Sequence, residues 1–142
     1  MSFLINSHPI DFESLRESLT AQDCGGFVFF EGRVRNHHEA RKVVGLHYEA
    51  YLELAEKEGR RLVEEVSRKF GVRAAAIHAV GDLKPGDLAV WVGAAAAHRE
   101  AAFAACRELI DAIKLRVPIW KRETYTDGHG EWIEGCRCAS PH

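Results

Sequence analysis

Apolar and polar positions alternate along this chain with two periods, and the switch between them marks the elements. Residues 3–5 (Phe-Leu-Ile) read as a short first strand. Asp11 then stands as an N-cap before a helix with Phe12, Leu15 and Leu19 on one face, and Gly25-Gly26 breaks it. Phe27 to Arg35 is aromatic and β-branched and reads as a strand. Asn36 to Lys42 is polar and reads as an exposed, mobile loop. Val43 to Tyr51 alternates, with Val44, Leu46 and Tyr48 facing one way and His47, Glu49 and Tyr51 the other. From Leu52 to Phe70 the period becomes helical, with Leu52, Ala55, Leu62, Val66 and Phe70 apolar, and Gly71 ends the helix. Val72 to Val80 and Leu88 to Ala95 read as strands joined by a turn at 82–87. A second long helix spans Ala97 to Arg116 and stops at Val117-Pro118. Trp120 to Tyr125 and Glu131 to Ile133 bracket Thr126-Asp-Gly-His-Gly130, a hairpin signal. Hairpins mixed with two long helices predict an α+β fold, the helices packed on a mixed or antiparallel sheet, in one domain over residues 1–142.

Composition narrows the function classes. Hydrophobic residues make up 46% and charged residues 28% of the 142, which suits one globular core without a disulfide or metal staple. Nineteen Lys and Arg against 21 Asp and Glu give a net charge of -2, so bulk charge does not drive nucleic-acid binding. No signal peptide is visible at Met1-Ser-Phe-Leu-Ile-Asn6, and the uncharged run Leu88 to Ala97 is half a membrane span. The expectation is a cytoplasmic protein with four reduced cysteines. Cys136 and Cys138 are one residue apart with no matching second pair, so no metal site is expected. Zinc held with His142 or the His37-His38 pair is the alternative. Cys106 and Cys24 read as small buried hydrophobes.

The second long helix carries the most informative chemistry. At about 100° per residue, Phe103, Cys106, Ile110, Ile113 and Val117 fall in an arc of roughly 80° that predicts the buried stripe. Arg99 lies on that arc and Lys114 only about 20° from Phe103. An ammonium facing a core must pair, serve a site, or snorkel to solvent near the negative helix end. Pro118 turns the chain so that Lys121 can return towards Lys114, and neighbouring amines depress one another's pKa, which suits proton transfer. The plainer alternative makes Lys121 an outward strand residue beside Arg122. Arg33, Arg35 and His37 share a strand face and, with Arg41 and Lys42, form a basic patch suited to phosphate or carboxylate, or a solvated strand end. His98-Arg99 opens the helix and either binds an anion there or only caps it. His47, Glu49 and Tyr51 read as structural polar pairing.

Several segments together resemble one family. They are Gly25-Gly26, Phe30-Glu-Gly-Arg-Val-Arg-Asn36, Leu46-His-Tyr-Glu-Ala-Tyr51, Ile77-His-Ala-Val-Gly81, Pro85-Gly-Asp87, Ala97-His-Arg-Glu-Ala-Ala-Phe103, Ile113-Lys114 and Pro118-Ile-Trp-Lys-Arg-Glu123. Their order over roughly residues 23 to 134 resembles the large, catalytic subunit of molybdopterin synthase. The resemblance implies an α/β hammerhead with a small added β-subdomain. It implies conversion of cyclic pyranopterin monophosphate (precursor Z) to molybdopterin. The two sulfurs would come from the thiocarboxylated Gly-Gly terminus of a small ubiquitin-like subunit, within a heterotetramer built on a dimer of this chain. It implies Lys114 and Lys121 as catalytic residues, and Arg35, His98 and Arg99 as substrate-binding, the last two across the dimer interface. Phe30 and Ile110 would line the pocket; no cofactor is implied. The sequence departs from the family at Cys136-Arg-Cys138, where the family often carries a basic residue that Arg137 would replace, and in the plain Ala-rich run before His98. Two rivals are a non-enzymatic dimeric module that docks a ubiquitin-like protein and a nucleotide or RNA site on the Arg33-Arg35-His37 patch. The charge balance and lack of a stacking-aromatic motif weigh against the second.

Overall fold

A computed structural model describes residues 2–126, 128 and 130–133. In chain order the elements are β1 (Phe3–Ser7), α1 (Glu13–Leu19), β2 (Gly26–Arg33), β3 (His37–His38), β4 (Arg41–Ala50), α2 (Leu52–Phe70), β5 (Arg73–Leu83), β6 (Leu88–Ala96), α3 (Arg99–Arg116), β7 (Ile119–Tyr125) and β8 (Gly130–Ile133). The sheet runs β2-β6-β5-β4-β7-β8, with β1 beside β5 and β3 beside β4. Only the β1–β5 pair is parallel among the described pairings. The fold is α+β, as the mixed element order predicts.

β5 organises this sheet. Its first half pairs with β6, its middle with β1, and its last residues, Gly81 to Leu83, with β4. The chain therefore carries two connected sub-sheets, one built on β6 and β5 and a smaller one of β4, β7 and β8. β6 is buried at all nine positions, so both of its faces are covered. Phe12, just before α1, stacks on Trp91, while Cys106 of α3 sits under the neighbouring Val92 carbonyl. α2 and α3 pack on each other, α3 on β2 and β6, and α2 on β1 and β5.

Local chemistry explains the boundaries. Gly71 ends α2 in the left-handed conformation, φ 64°. α2 seats on β1 at Gly59, where an added Cβ would come within 2.2 Å of the Phe3 ring. At Gly26 an added Cβ would lie 2.9 Å from Arg99 Cα, so the Gly25-Gly26 pair lets β2 meet the start of α3 backbone to backbone. Asp11 accepts from the Ser14 hydroxyl at 2.9 Å, but the N-cap position is Phe12, one residue later than expected.

Three expectations are corrected. In β4 a register shift between Val43 and Gly45 turns Val43 inward and leaves Val44 45% exposed, because a bulge moves a side chain to the other face. Leu46 and Tyr48 do face inward. The segment expected as a mobile loop is a tight hairpin, with His37 paired to Lys42 and His38 to Arg41. Glu39 and Ala40 form its turn at φ 50° and 66°. The usual Asn-Gly signal for such a turn is absent, so nothing local announced it. In α3, Phe103 is 60% exposed, and the buried stripe is Ala102, Ala105, Cys106, Leu109, Ile110 and Ile113. Small alanines, not the aromatic ring, let the helix approach the sheet closely.

Candidate active site

A cavity of about 260 Å³ opens where the two sub-sheets meet the C-terminal end of α3. β2 and the segment after it contribute Phe30 to Arg35, β6 Ala89 and Val90, β5 His78, β4 Leu46 and Tyr48, β7 Lys121 and Glu123, and α3 Lys114. Strand alternation selects the β7 residues. Lys121, Glu123 and Tyr125 share the inward face, and Trp120 and Arg122 point away. Lys121 pairs in register with Tyr48, another wall residue. The reading of Lys121 as an outward residue beside Arg122 is thereby overturned. The shifted stripe of α3 leaves Lys114 on its flank, half-buried and turned to the cavity.

The cavity is rich in cations. Arg33 is engaged, donating to Glu31 at 2.9 Å and to the Gly86 carbonyl at 2.8 Å. Arg35 and Lys114 make no ion pair or side-chain hydrogen bond among the described residues. Glu123 is 5% exposed. It is held by His38, whose Nδ1 lies 2.5 Å from Oε1, and by the Tyr125 hydroxyl, which donates at 3.2 Å. The hairpin found where a loop is expected thus fixes a carboxylate on the cavity wall that also carries Lys114 and Lys121. Such a site suits a small anion: unpaired cations in a concave, partly desolvated hollow attract it more strongly than in open water.

A second hollow, of about 500 Å³, adjoins the first between β2 and α3. It is lined by Val28, Phe29, Phe30, Phe103, Cys106, Arg107, Ile110, Asp111 and Lys114. Phe30 and Lys114 belong to both hollows. Ile110 lines this groove and not the cavity.

Other sequence candidates lie elsewhere. His98 occupies the N-cap of α3 without a side-chain cap bond, so a capping role for its side chain is not what the fold uses. With Arg99 it stands at the opposite end of the helix from Lys114, about 22 Å away along the axis. Within one chain they do not meet the cavity. His37 is drawn to Asn36 at 3.0 Å, and Arg41 lies on the Tyr125 ring at 3.5 Å, so the basic patch reaches the cavity only through Arg33 and Arg35. His47 bonds Asp82 at 2.7 Å and lies 3.3 Å from Glu49, and these partners, Asp82 first, raise its pKa. That matches the structural pairing expected there. Cys106 is buried and its thiol is pushed up to about 11 by desolvation, while Cys24 is only half-buried. Cys136, Cys138 and His142 lie outside the described residues. Among the described residues no three His, Cys, Asp or Glu side chains are grouped to hold a metal.

Sequence reasoning passed over His78, Tyr48 and Glu123 as wall residues. All three lie in the family-like segments, and the missing signal is pairing across strands distant in sequence.

The comparisons with known proteins fit this geometry. The family model described as MoaE protein matches residues 5–116. The chain is 43% identical over 111 residues to the molybdopterin synthase catalytic subunit of Thermoplasma volcanium, covering 78% of this chain and 81% of that one. It is 42% identical over 132 residues to the one from Pyrococcus abyssi, covering 91% and 88%. The crystal structure of molybdopterin synthase from Staphylococcus aureus superposes with a TM-score of 0.86 at 35% identity, over 91% of this chain and 94% of that one.

Proposed function

The chain belongs to the MoaE protein family, whose matched relatives are molybdopterin synthase catalytic subunits, and on that premise we propose how its cavity works. Its role is catalytic and lies in molybdenum cofactor biosynthesis. The reaction we assign is sulfur transfer. Cyclic pyranopterin monophosphate receives two sulfurs and becomes molybdopterin, each sulfur arriving as a thiocarboxylate on the C-terminal glycine of a small ubiquitin-like subunit. The apolar groove between β2 and α3 is the path we give that tail, because it is open, lined by Phe30 and Ile110, and ends at Lys114. Residues 1–142 act as one domain, in the cytoplasm; no described helix is long and apolar enough to cross a membrane.

The convergence of Lys114, Lys121 and Arg35 on one cavity is the observation that carries this reading. Arg35 offers a planar pair of donors to the substrate phosphate. Lys114 lies where groove and cavity join, so its ammonium stabilises the oxyanion that forms when water adds to the acyl carbon of the sulfur-linked tail. That oxyanion collapses to the plain carboxylate as the carbon–sulfur bond breaks and leaves the sulfur on the pterin. The same amine relays protons during pterin ring opening, with Lys121 orienting it. His98 and Arg99 complete the site from the partner protomer, within a heterotetramer of two such chains and two small subunits.

The test is a single-turnover assay with precursor and thiocarboxylated small subunit. Lys114→Ala abolishes dithiolene formation, a loss of about 10²-fold or more, while the complex with the small subunit survives on gel filtration. Retained activity in that variant overturns the assignment. A wild-type chain that binds the small subunit but transfers no sulfur is a docking module instead.

A further inference from the structure

His78 has no part in the scheme above, yet it stands on the cavity wall. It lies in β5, 8% exposed, with the Tyr48 ring against it edge-on at 4.8 Å. Its Nδ1 is 2.7 Å from the Ala79 carbonyl oxygen. A carbonyl only accepts, so Nδ1 carries the hydrogen and the tautomer is set. Nε2 keeps a lone pair. It makes no hydrogen bond among the described residues, and it is not sealed inside the protein, since the one such orphaned side-chain atom there is His8 Nδ1. The lone pair therefore opens on the cavity that the ring lines.

The ring is also neutral. Burial foremost, and the Lys114 charge nearby, bring its pKa down to about 4 against the opposing pull of the Ala79 carbonyl. A neutral imidazole with its one N–H committed is purely an acceptor. The rest of the polar wall is mostly donors: Arg33, Arg35, Lys114 and Lys121. Its two carboxylates, Glu31 and Glu123, already take protein partners. Lys114 shares the cavity but makes no hydrogen bond to His78. The acceptor is left for a ligand, and the ligand must bring an N–H or O–H.

We propose that His78 Nε2 accepts a hydrogen bond from a ring N–H of the pterin, so that this wall reads the heterocycle while Arg35 holds the phosphate. The inference rests on the pterin reading of the site and adds a binding residue to it.

Two substitutions separate the ring's two nitrogens. His78→Asn keeps a donor near the Nδ1 position and removes the acceptor. His78→Gln reaches the Nε2 position with its carbonyl and loses the bond to Ala79. Binding of cyclic pyranopterin monophosphate is measured by titration calorimetry on the assembled complex, with the small subunit ending in a plain carboxylate so that no turnover occurs. The Asn variant binds about 10-fold more weakly and the Gln variant within about 3-fold of wild type, because one buried acceptor is lost or kept. Thermal stability ranks the other way, Asn above Gln, an inversion that a merely structural histidine does not produce. Asn binding like wild type, or Asn and Gln weakened alike, overturns the proposal. Absence of pterin binding by the wild-type complex instead removes the functional reading beneath it.

Discussion

At the scale of single residues, burial and partner geometry decide chemistry that residue type leaves open. His78 and His47 lie on neighbouring strands. One is desolvated with a lowered pKa; the other meets Asp82 and Glu49 at the surface and is raised. The lowered value has a consequence for stability. His78 is neutral in the folded chain down to about pH 4, whereas its unfolded reference is 6.5. Below 6.5 the unfolded chain takes up a proton that the native chain refuses. The stability this group supports is complete above 6.5 and is lost as pH falls through about 4. Urea denaturation across that window shows wild type losing stability faster than His78→Gln, by up to about 3 kcal/mol at the acid end. Parallel profiles for the two proteins would contradict the burial argument.

At the scale of elements, contact between units is set by what is missing from side chains. α2 lies on β1 because Gly59 presents no Cβ to the Phe3 ring, which is fully buried and cannot swing away. Gly59→Ala therefore destabilises by roughly 1–3 kcal/mol in chemical denaturation. Phe3→Leu combined with it costs less than the two single losses summed, because the smaller side chain relieves the clash. α3 obeys the same rule through Ala102 and Ala105, and for this reason the stripe drawn from large residues was turned from the real one. Its period was legible and its boundary nearly so: Ala97 to Arg116 expected, Arg99–Arg116 found. The direction of its buried face depended on the sheet it met. That rotation is also what frees Lys114 to face the cavity.

At the scale of the whole molecule, a net charge of -2 conceals a local excess of cations in one hollow. The polypeptide concentrates charge by folding, so overall balance says little about the ligand. Distance along α3 bears on assembly. His98 and Arg99 stand about 22 Å from Lys114 of the same chain, so a site that uses all three draws them from two protomers. Mixed dimers test this. Lys114→Ala and Arg99→Ala are each inactive as homodimers, and dimers containing one of each regain about half the wild-type rate, because one of the two symmetric sites is then intact. No recovery in purified mixed dimers would place the two residues in separate roles.

Much of this protein was legible along the chain. α2 runs from Leu52 to Phe70, the span its periodicity and Gly71 define, and, β3 aside, the order of strands and helices follows from local patterning. Those features depend on backbone preferences and on neighbours three or four residues away, which a linear reading contains. The short segments carrying Arg35, Lys114 and Lys121 were recognisable too. What waited for the tertiary structure was everything decided by strands distant in sequence. The bulge that reverses Val43 and Val44, the hairpin that brings His38 to Glu123, and the meeting of β5 with the end of α3 all arise there. His78 and Lys114 lie in different elements. Only packing makes them neighbours, because a side chain's surroundings are set by contacts whose order along the chain carries no local trace.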